Sequence, residues 1–144
     1  MAVGEVGLDY FQYEKTVYQD YRLSTDFLAV QKQLLTRQIE LAIKHKKSLI
    51  LHNRAAATDL LRLLSENWDN CLSGRTVLHC CEPDLKLLEF AKKHRIYLGI
   101  DGDITFLPAK QEFVKQIPLE QLVLETDAPF LLPEPLRSKK LYPN

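Results

Sequence analysis

Four acid or imidazole side chains, Glu5, His52, His79 and Asp127, each lie at the close of a short apolar stretch of β character. The stretches are Ala-Val-Gly-Glu-Val-Gly-Leu-Asp (2–9), Leu-Ile-Leu-His (49–52), Val-Leu-His (77–79) and Leu-Val-Leu-Glu-Thr-Asp (122–127). Groups at the carboxyl ends of successive parallel strands point into one shared mouth, so residues distant in sequence can converge there. Two neutral imidazoles and two carboxylates are a sensible ligand set for a catalytic divalent cation. Carboxylates suit Mg²⁺ or Mn²⁺, and imidazoles also admit Zn²⁺.

Each residue also has a plain structural reading. Glu5, flanked by glycines, can approach a cation closely and bridge two of them, or it can close a salt bridge at a strand end. His52 lies directly before a predicted helix in Leu-His-Asn-Arg-Ala. There its imidazole can bind metal while Arg54 reaches a substrate phosphate oxygen, helped by backbone N–H groups at the helix entrance. A lone histidine closing an apolar strand can equally be a satisfied structural residue, and His79 carries the same pair of readings. Asp127 can hold metal and take the proton from an attacking water, or cap a following helix ahead of Ala-Pro. Glu125, two residues earlier, faces the same side of the strand and can orient the site through hydrogen bonds. Cys80 and Cys81 are possible soft ligands. With no partner at Cys-x-x-Cys spacing, they read as small buried hydrophobes.

The elements that must position these groups alternate. A tyrosine-bearing stretch over 10–24, without periodicity, reads as a loop over the mouth. Thr25 or Asp26 caps a long predicted helix reaching about His45, with Phe27, Val30, Leu34 and Leu41 at helical spacing and Leu28, Leu35 and Ala42 beside them. Lys44-His45-Lys46-Lys47 favours its carbonyl-rich end. A strand over 48–52 precedes a helix over about 55–67, and a strand over 76–80 precedes a helix opening at Pro83 with Leu85, Leu88 and Phe90 on its buried side. A strand over 96–100, a helix over 108–117 and a strand over 122–126 complete the series. This β-loop-α-β-α-β-α-β-α-β order predicts an α/β fold with a parallel sheet, residues 1–144 forming one domain. Five strands cannot close an eight-stranded barrel. The sheet is therefore open and doubly wound, or part of a barrel.

With 46% hydrophobic and 26% charged residues the composition is that of a globular chain. Lysine plus arginine equals aspartate plus glutamate at 19 each, which excludes a broad, non-specific DNA-coating role. A nucleic-acid substrate stays open, because a metal and a few local cations can supply the phosphate contact. Three cysteines, two of them adjacent, make a poor disulfide framework and point to a reducing compartment. No apolar run approaches the roughly 18–20 residues needed to cross a bilayer, and a cytoplasmic location is expected.

The motifs Gly-Glu-Val-Gly-Leu-Asp-Tyr, Leu-His-Asn-Arg-Ala, Val-Leu-His-Cys, Leu-Gly-Ile-Asp-Gly and Leu-Glu-Thr-Asp-Ala-Pro, in that order, resemble the TatD family of metal-dependent deoxyribonucleases, amidohydrolase-like TIM barrels. The resemblance implies a phosphodiester hydrolase of DNA using two divalent cations. In it Glu5 would bridge the metals, His52 and His79 would hold one, and Asp127 would ligate the other and activate water. The sequence departs from the family at several points. It lacks the His-x-His strand that supplies two further ligands. It has Cys81-Glu82-Pro83 in place of a Phe-Ser-Gly turn, and Asn53-Arg54-Ala55-Ala56 where a serine and an acidic residue are common. The strands therefore look like numbers four to eight of eight. The chain is expected to be a fragment or half of a split protein, weak or inactive alone, with a separate chain supplying the missing strands. Tyr142-Pro143-Asn144 would begin the family's last loop, and Lys139 or Lys140 could contact substrate at the rim. An amidohydrolase-type enzyme on a small carbonyl or phosphoester substrate and a non-enzymatic remnant are the alternative readings.

Overall fold

The computed structural model of the chain describes residues 1–12 and 23–137. Most of the tyrosine-bearing stretch, together with Lys139, Lys140 and Tyr142, lies outside the described residues. Five strands, β1 (Ala2–Asp9), β2 (Ser48–Arg54), β3 (Thr76–Leu78), β4 (Tyr97–Ile100) and β5 (Leu122–Leu124), alternate with helices α1 (Thr25–Lys44), α2 (Ala57–Asn67), α3 (Leu85–His94) and α4 (Pro108–Val114). The strands form one sheet in the order β1-β2-β3-β4-β5, every neighbouring pair parallel. The order never reverses, so the sheet is not doubly wound. With right-handed crossovers, stepping one way throughout stacks the helices on one face. Accordingly α1 packs on α2, and α2 on α3.

That face holds the core. Leu8, Leu49, Leu51, Leu78 and Leu98 of the strands are buried against Leu35, Ile39 and Ala42 of α1, Leu60, Leu63 and Leu64 of α2, and Leu87, Leu88 and Ala91 of α3. Each fully buried leucine contributes about 1.5–3 kcal/mol relative to exposure. The opposite face has no helical cover. Its aligned residues Ile50, Val77 and Tyr97, and Val123 beyond them, are only half-buried.

Several boundaries differ from the sequence-based expectation. Ser24, and neither Thr25 nor Asp26, caps α1: its extended backbone lets the side chain accept from Phe27 N. The helix buries Leu35, Ile39 and Ala42, leaving Phe27, Val30, Leu34 and Leu41 exposed as an apolar stripe. At α3, Asp84 accepts from Leu87 N and starts the helix at Leu85, two residues beyond Pro83. Leu85 then faces solvent, and Leu87, Leu88 and Ala91 form the buried side. β3 ends at Leu78, so His79 and Cys80 lie in a turn. No helix follows Asp127 among the described residues, which removes its N-cap reading; Phe130 N donates to its carbonyl in a tight turn.

Candidate metal centre

Glu5 sits within β1, not at its end. The β1–β2 register shifts between Val3 and Val6, a bulge that spends an extra residue and re-aims a side chain. Gly4 makes this possible: at φ 150° a Cβ would lie 2.6 Å from the Ile50 Cβ. Glu5 Oε1 thereby comes 2.8 Å from His52 Nδ1 and 3.9 Å from His79 Nε2. The true carboxyl end of β1 belongs to Asp9, whose Oδ2 lies 3.6 Å from His52 Nε2. Gln31 of α1 clamps this end, accepting from Asp9 N at 2.8 Å and donating to Asp9 O at 3.0 Å.

His79 is central. Its backbone N–H donates to Leu51 O at 2.8 Å, and Glu125 N donates to Ile100 O at 3.1 Å, so ladder contacts continue past the formal strand ends. Glu125 Oε2 lies 2.6 Å from His79 Nδ1, and Glu125 Oε1 accepts from Cys80 N at 2.6 Å. An ionised carboxylate can only accept, so Nδ1 carries the proton and Nε2 presents its lone pair to the mouth. Asp127 Oδ1 stands 3.4 Å from that Nε2. Gly99 leaves room for the arrangement, since a Cβ there would collide with the Glu125 carboxylate.

The electrostatics favour a cation. Burial works against charging His79, but Glu125, Glu5 and Asp127 outweigh it and hold its pKa above the ordinary imidazole value. Burial, then Asp101 and the other carboxylates, push the Cys80 thiol well above its usual range. Glu5, Asp9, Glu125 and Asp127 surround two imidazoles, an excess of negative charge that a divalent ion would neutralise. A ligand nitrogen oriented by a carboxylate on its other ring nitrogen is the usual support of a metal-bound histidine. The donor set thus fits a divalent metal.

Glu5, His52, His79, Asp127 and Glu125 therefore meet in one mouth; Arg54 belongs to a different setting. Its guanidinium carbon lies 3.9 Å from the centroid of the Phe11 ring. Next to it, Ala55 N donates to Glu82 Oε2 at 3.2 Å, so a carboxylate already occupies the amide before α2 where an anion was expected. A cleft of about 440 Å³ nearby is lined by Tyr10, Asp59, Glu82 and Asp84, and by none of the five converging residues. Sequence reasoning missed Asp9, which stands in the quoted Gly-Leu-Asp-Tyr motif, and Asp101, which stands in Leu-Gly-Ile-Asp-Gly. It also missed Lys110. Buried beneath the mouth, its Nζ lies 2.6 Å from Asp103 Oδ1 and 3.2 Å from Asp101 Oδ1.

The family described as TatD related DNase matches residues 1–144. An uncharacterized metal-dependent hydrolase of Bacillus subtilis, YabD, is 34% identical over 146 residues, covering 100% of this chain and 52% of its own length. The 3'-5' RNA nuclease TATDN2 of Homo sapiens is 31% identical over 137 residues, covering 92% of this chain and 16% of its own. Among solved structures, the Escherichia coli TatD homolog YJJV superposes with a TM-score of 0.76 at 29% identity, over 99% of this chain and 49% of that one. The chain spans about half the length of the bacterial relatives it matches.

Proposed function

The chain belongs to the TatD related DNase family, and from that premise we propose that it forms the carboxyl-side part of a metal-dependent phosphodiester hydrolase acting on nucleic acid, with DNA as substrate. The carrying observation is His79, fixed by Glu125 on Nδ1 and facing Glu5 and Asp127 through Nε2. Glu5, His52, His79 and Asp127 would hold divalent ions, two in the complete protein. Bound ions would supply charge neutralisation at the phosphodiester and a water acidic enough to attack near neutral pH. Glu125 keeps the imidazole in one tautomer. Asp127 accepts the proton of the attacking water at a carboxylate oxygen. Arg54, held against Phe11 beside the mouth, meets a substrate phosphate.

The five strands correspond in this reading to strands four to eight of an eight-stranded barrel. Parallel sheets are stable with both faces covered, yet the helix-free face here is half-exposed, β1 and β5 have open edges, and Leu124 on β5 is 82% exposed. The α1 stripe of Phe27, Val30, Leu34 and Leu41 also awaits a neighbour. A segment outside these residues, on a separate chain, would supply the remaining strands and the His-x-His pair. Free Cys71, Cys80 and Cys81 suit a cytoplasmic location, and among the described residues no helix is long and apolar enough to cross a membrane.

The test is hydrolysis of single-stranded DNA with Mg²⁺ or Mn²⁺, by the 144-residue chain alone and with a polypeptide carrying the missing strands. Losing most of a two-ion clamp costs several kcal/mol, so the chain alone should be about a thousandfold slower or worse. Combined His52→Ala and His79→Ala should abolish divalent-ion binding. Robust cleavage by the chain alone would overturn the split-barrel part. Failure to bind any divalent ion would leave the non-enzymatic reading, and turnover of small carbonyl esters instead of nucleic acid would select the amidohydrolase-type one.

A further inference from the structure

Cys80 occupies the same mouth and has no role in the reading above, on which the following rests. Its Sγ lies 3.5 Å from His79 Nε2, the nitrogen that also faces Asp127 Oδ1 at 3.4 Å. The ligand atoms of His79, Cys80 and Asp127 all fall within 4.8 Å of one another. From these spacings we propose that Cys80 Sγ is a direct ligand of the cation held by His79 and Asp127, making this position selective for Zn²⁺ over Mg²⁺ and Mn²⁺.

The spacings are those of a tetrahedron's edges. With metal–nitrogen and metal–oxygen bonds of about 2.0–2.1 Å and a metal–sulfur bond of about 2.3 Å, tetrahedral angles give edges of roughly 3.4 Å for N···O and 3.6 Å for N···S. The structure has 3.4 and 3.5 Å before any ion is placed. Glu5 Oε1, 3.9 Å from the same nitrogen, stands at a fourth corner, or yields it to water.

Position is not accidental either. One carboxylate registers both donors, Glu125 Oε2 bonding His79 Nδ1 while Oε1 bonds Cys80 N. Cys81, one residue on, is 4% exposed and packs into the core, so the turn presents one thiol to the mouth and withdraws the other. On binding, the Cys80 S–H bond breaks, its proton leaves to solvent and a sulfur–metal bond forms, with no change of oxidation state. Thiolate is a soft donor that favours Zn²⁺, whereas Mg²⁺ and Mn²⁺ prefer oxygen. Three protein ligands with one open position is the arrangement of catalytic zinc.

Cobalt titration of the purified chain reads the bond directly, because thiolate ligation produces a near-ultraviolet sulfur-to-cobalt charge-transfer band. The band is expected in the wild type and in Cys71→Ser, and absent in Cys80→Ser. Zn²⁺ affinity should fall at least about 100-fold in Cys80→Ser, beyond what loss of a supporting contact costs, with Mn²⁺ affinity unchanged. In the unsubstituted chain, stoichiometric Zn²⁺ should block alkylation of Cys80 by iodoacetamide, mapped by mass spectrometry, and Mn²⁺ should not; this arm stands even if the serine variant misfolds. Cobalt bound without the band, a band surviving Cys80→Ser, or alkylation indifferent to Zn²⁺ would overturn the thiolate ligand while leaving the metal centre in place. Absence of any bound cation would remove both.

Discussion

Replacing Lys110 by methionine keeps the side chain's length and removes its charge from a buried cluster. The Lys110 side chain is 2% exposed and its partners Asp101 and Asp103 are 0% and 12% exposed. Burial alone would lower the Lys110 pKa, but Asp103 and Asp101 outweigh it and raise it. Burial likewise opposes charge on Asp101, and its hydrogen bonds with Asp103 and Cys80 and the Lys110 ammonium override that and hold its carboxyl low. Burial, then the Asp101 carboxylate, push Asp103 the other way. The substitution strands at least the Asp101 carboxylate without a counter-charge, and breaking a buried pair from one side costs about 3–5 kcal/mol. At about 2–4 °C per kcal/mol for a chain of this size, the melting temperature should fall by roughly 10 °C. Urea denaturation followed by Trp68, the single tryptophan, packed 5.6 Å from Phe90 and 4.7 Å from His94 between ring centroids, gives the readout. The pH dependence has a definite sign. In the variant both acids have folded-state pKa values above their unfolded ones, so their contribution is fully present below the unfolded value of about 4 and is lost as pH rises through the folded one. The deficit should be largest at neutral pH and shrink on acidification. A loss under about 1 kcal/mol at neutral pH, or a deficit that grows with acid, would refute the reasoning.

Other substitutions probe the mouth and its supports. Glu125→Gln should lower divalent-metal affinity about 10–100-fold by releasing the His79 tautomer, and undiminished affinity in dialysis would show that Glu125 is a bystander. Gly99→Ala should cause a similar loss with the circular-dichroism spectrum intact, because its methyl group displaces the Glu125 carboxylate; normal metal content would refute it. Asp59 is held below its ordinary value by Lys32 first and Tyr10 second, so its contribution is present above the unfolded carboxylate value and lost as pH falls. Asp59→Asn should therefore flatten the acid limb of the stability curve, and an unchanged limb would count against the triad. Arg54→Ala in the assembled enzyme should raise KM with metal content unchanged, and loss of metal instead would assign Arg54 a structural role.

Much of this protein is written locally. Short apolar runs between amphipathic segments specify parallel strands and crossover helices, because periods of two and about 3.6 residues are properties of neighbouring positions. The order of the His, Glu and Asp motifs carries the family likeness for the same reason. Strand order and the uncovered face required the assembled sheet. So did the choice, within α1, of Leu35, Ile39 and Ala42 over Phe27, Val30 and Leu34 for burial, since both sets have helical spacing. The bulge that turns Glu5 toward His52 exists only in register with β2. Lys110 reads as a surface lysine in its helix and becomes a core residue when two aspartates from the end of β4 meet it. Likewise Glu125 joins His79 and Cys80 across 46 and 45 residues of sequence. Contacts of that range depend on how the sheet twists and registers, which the tertiary fold sets and local sequence periodicity does not record.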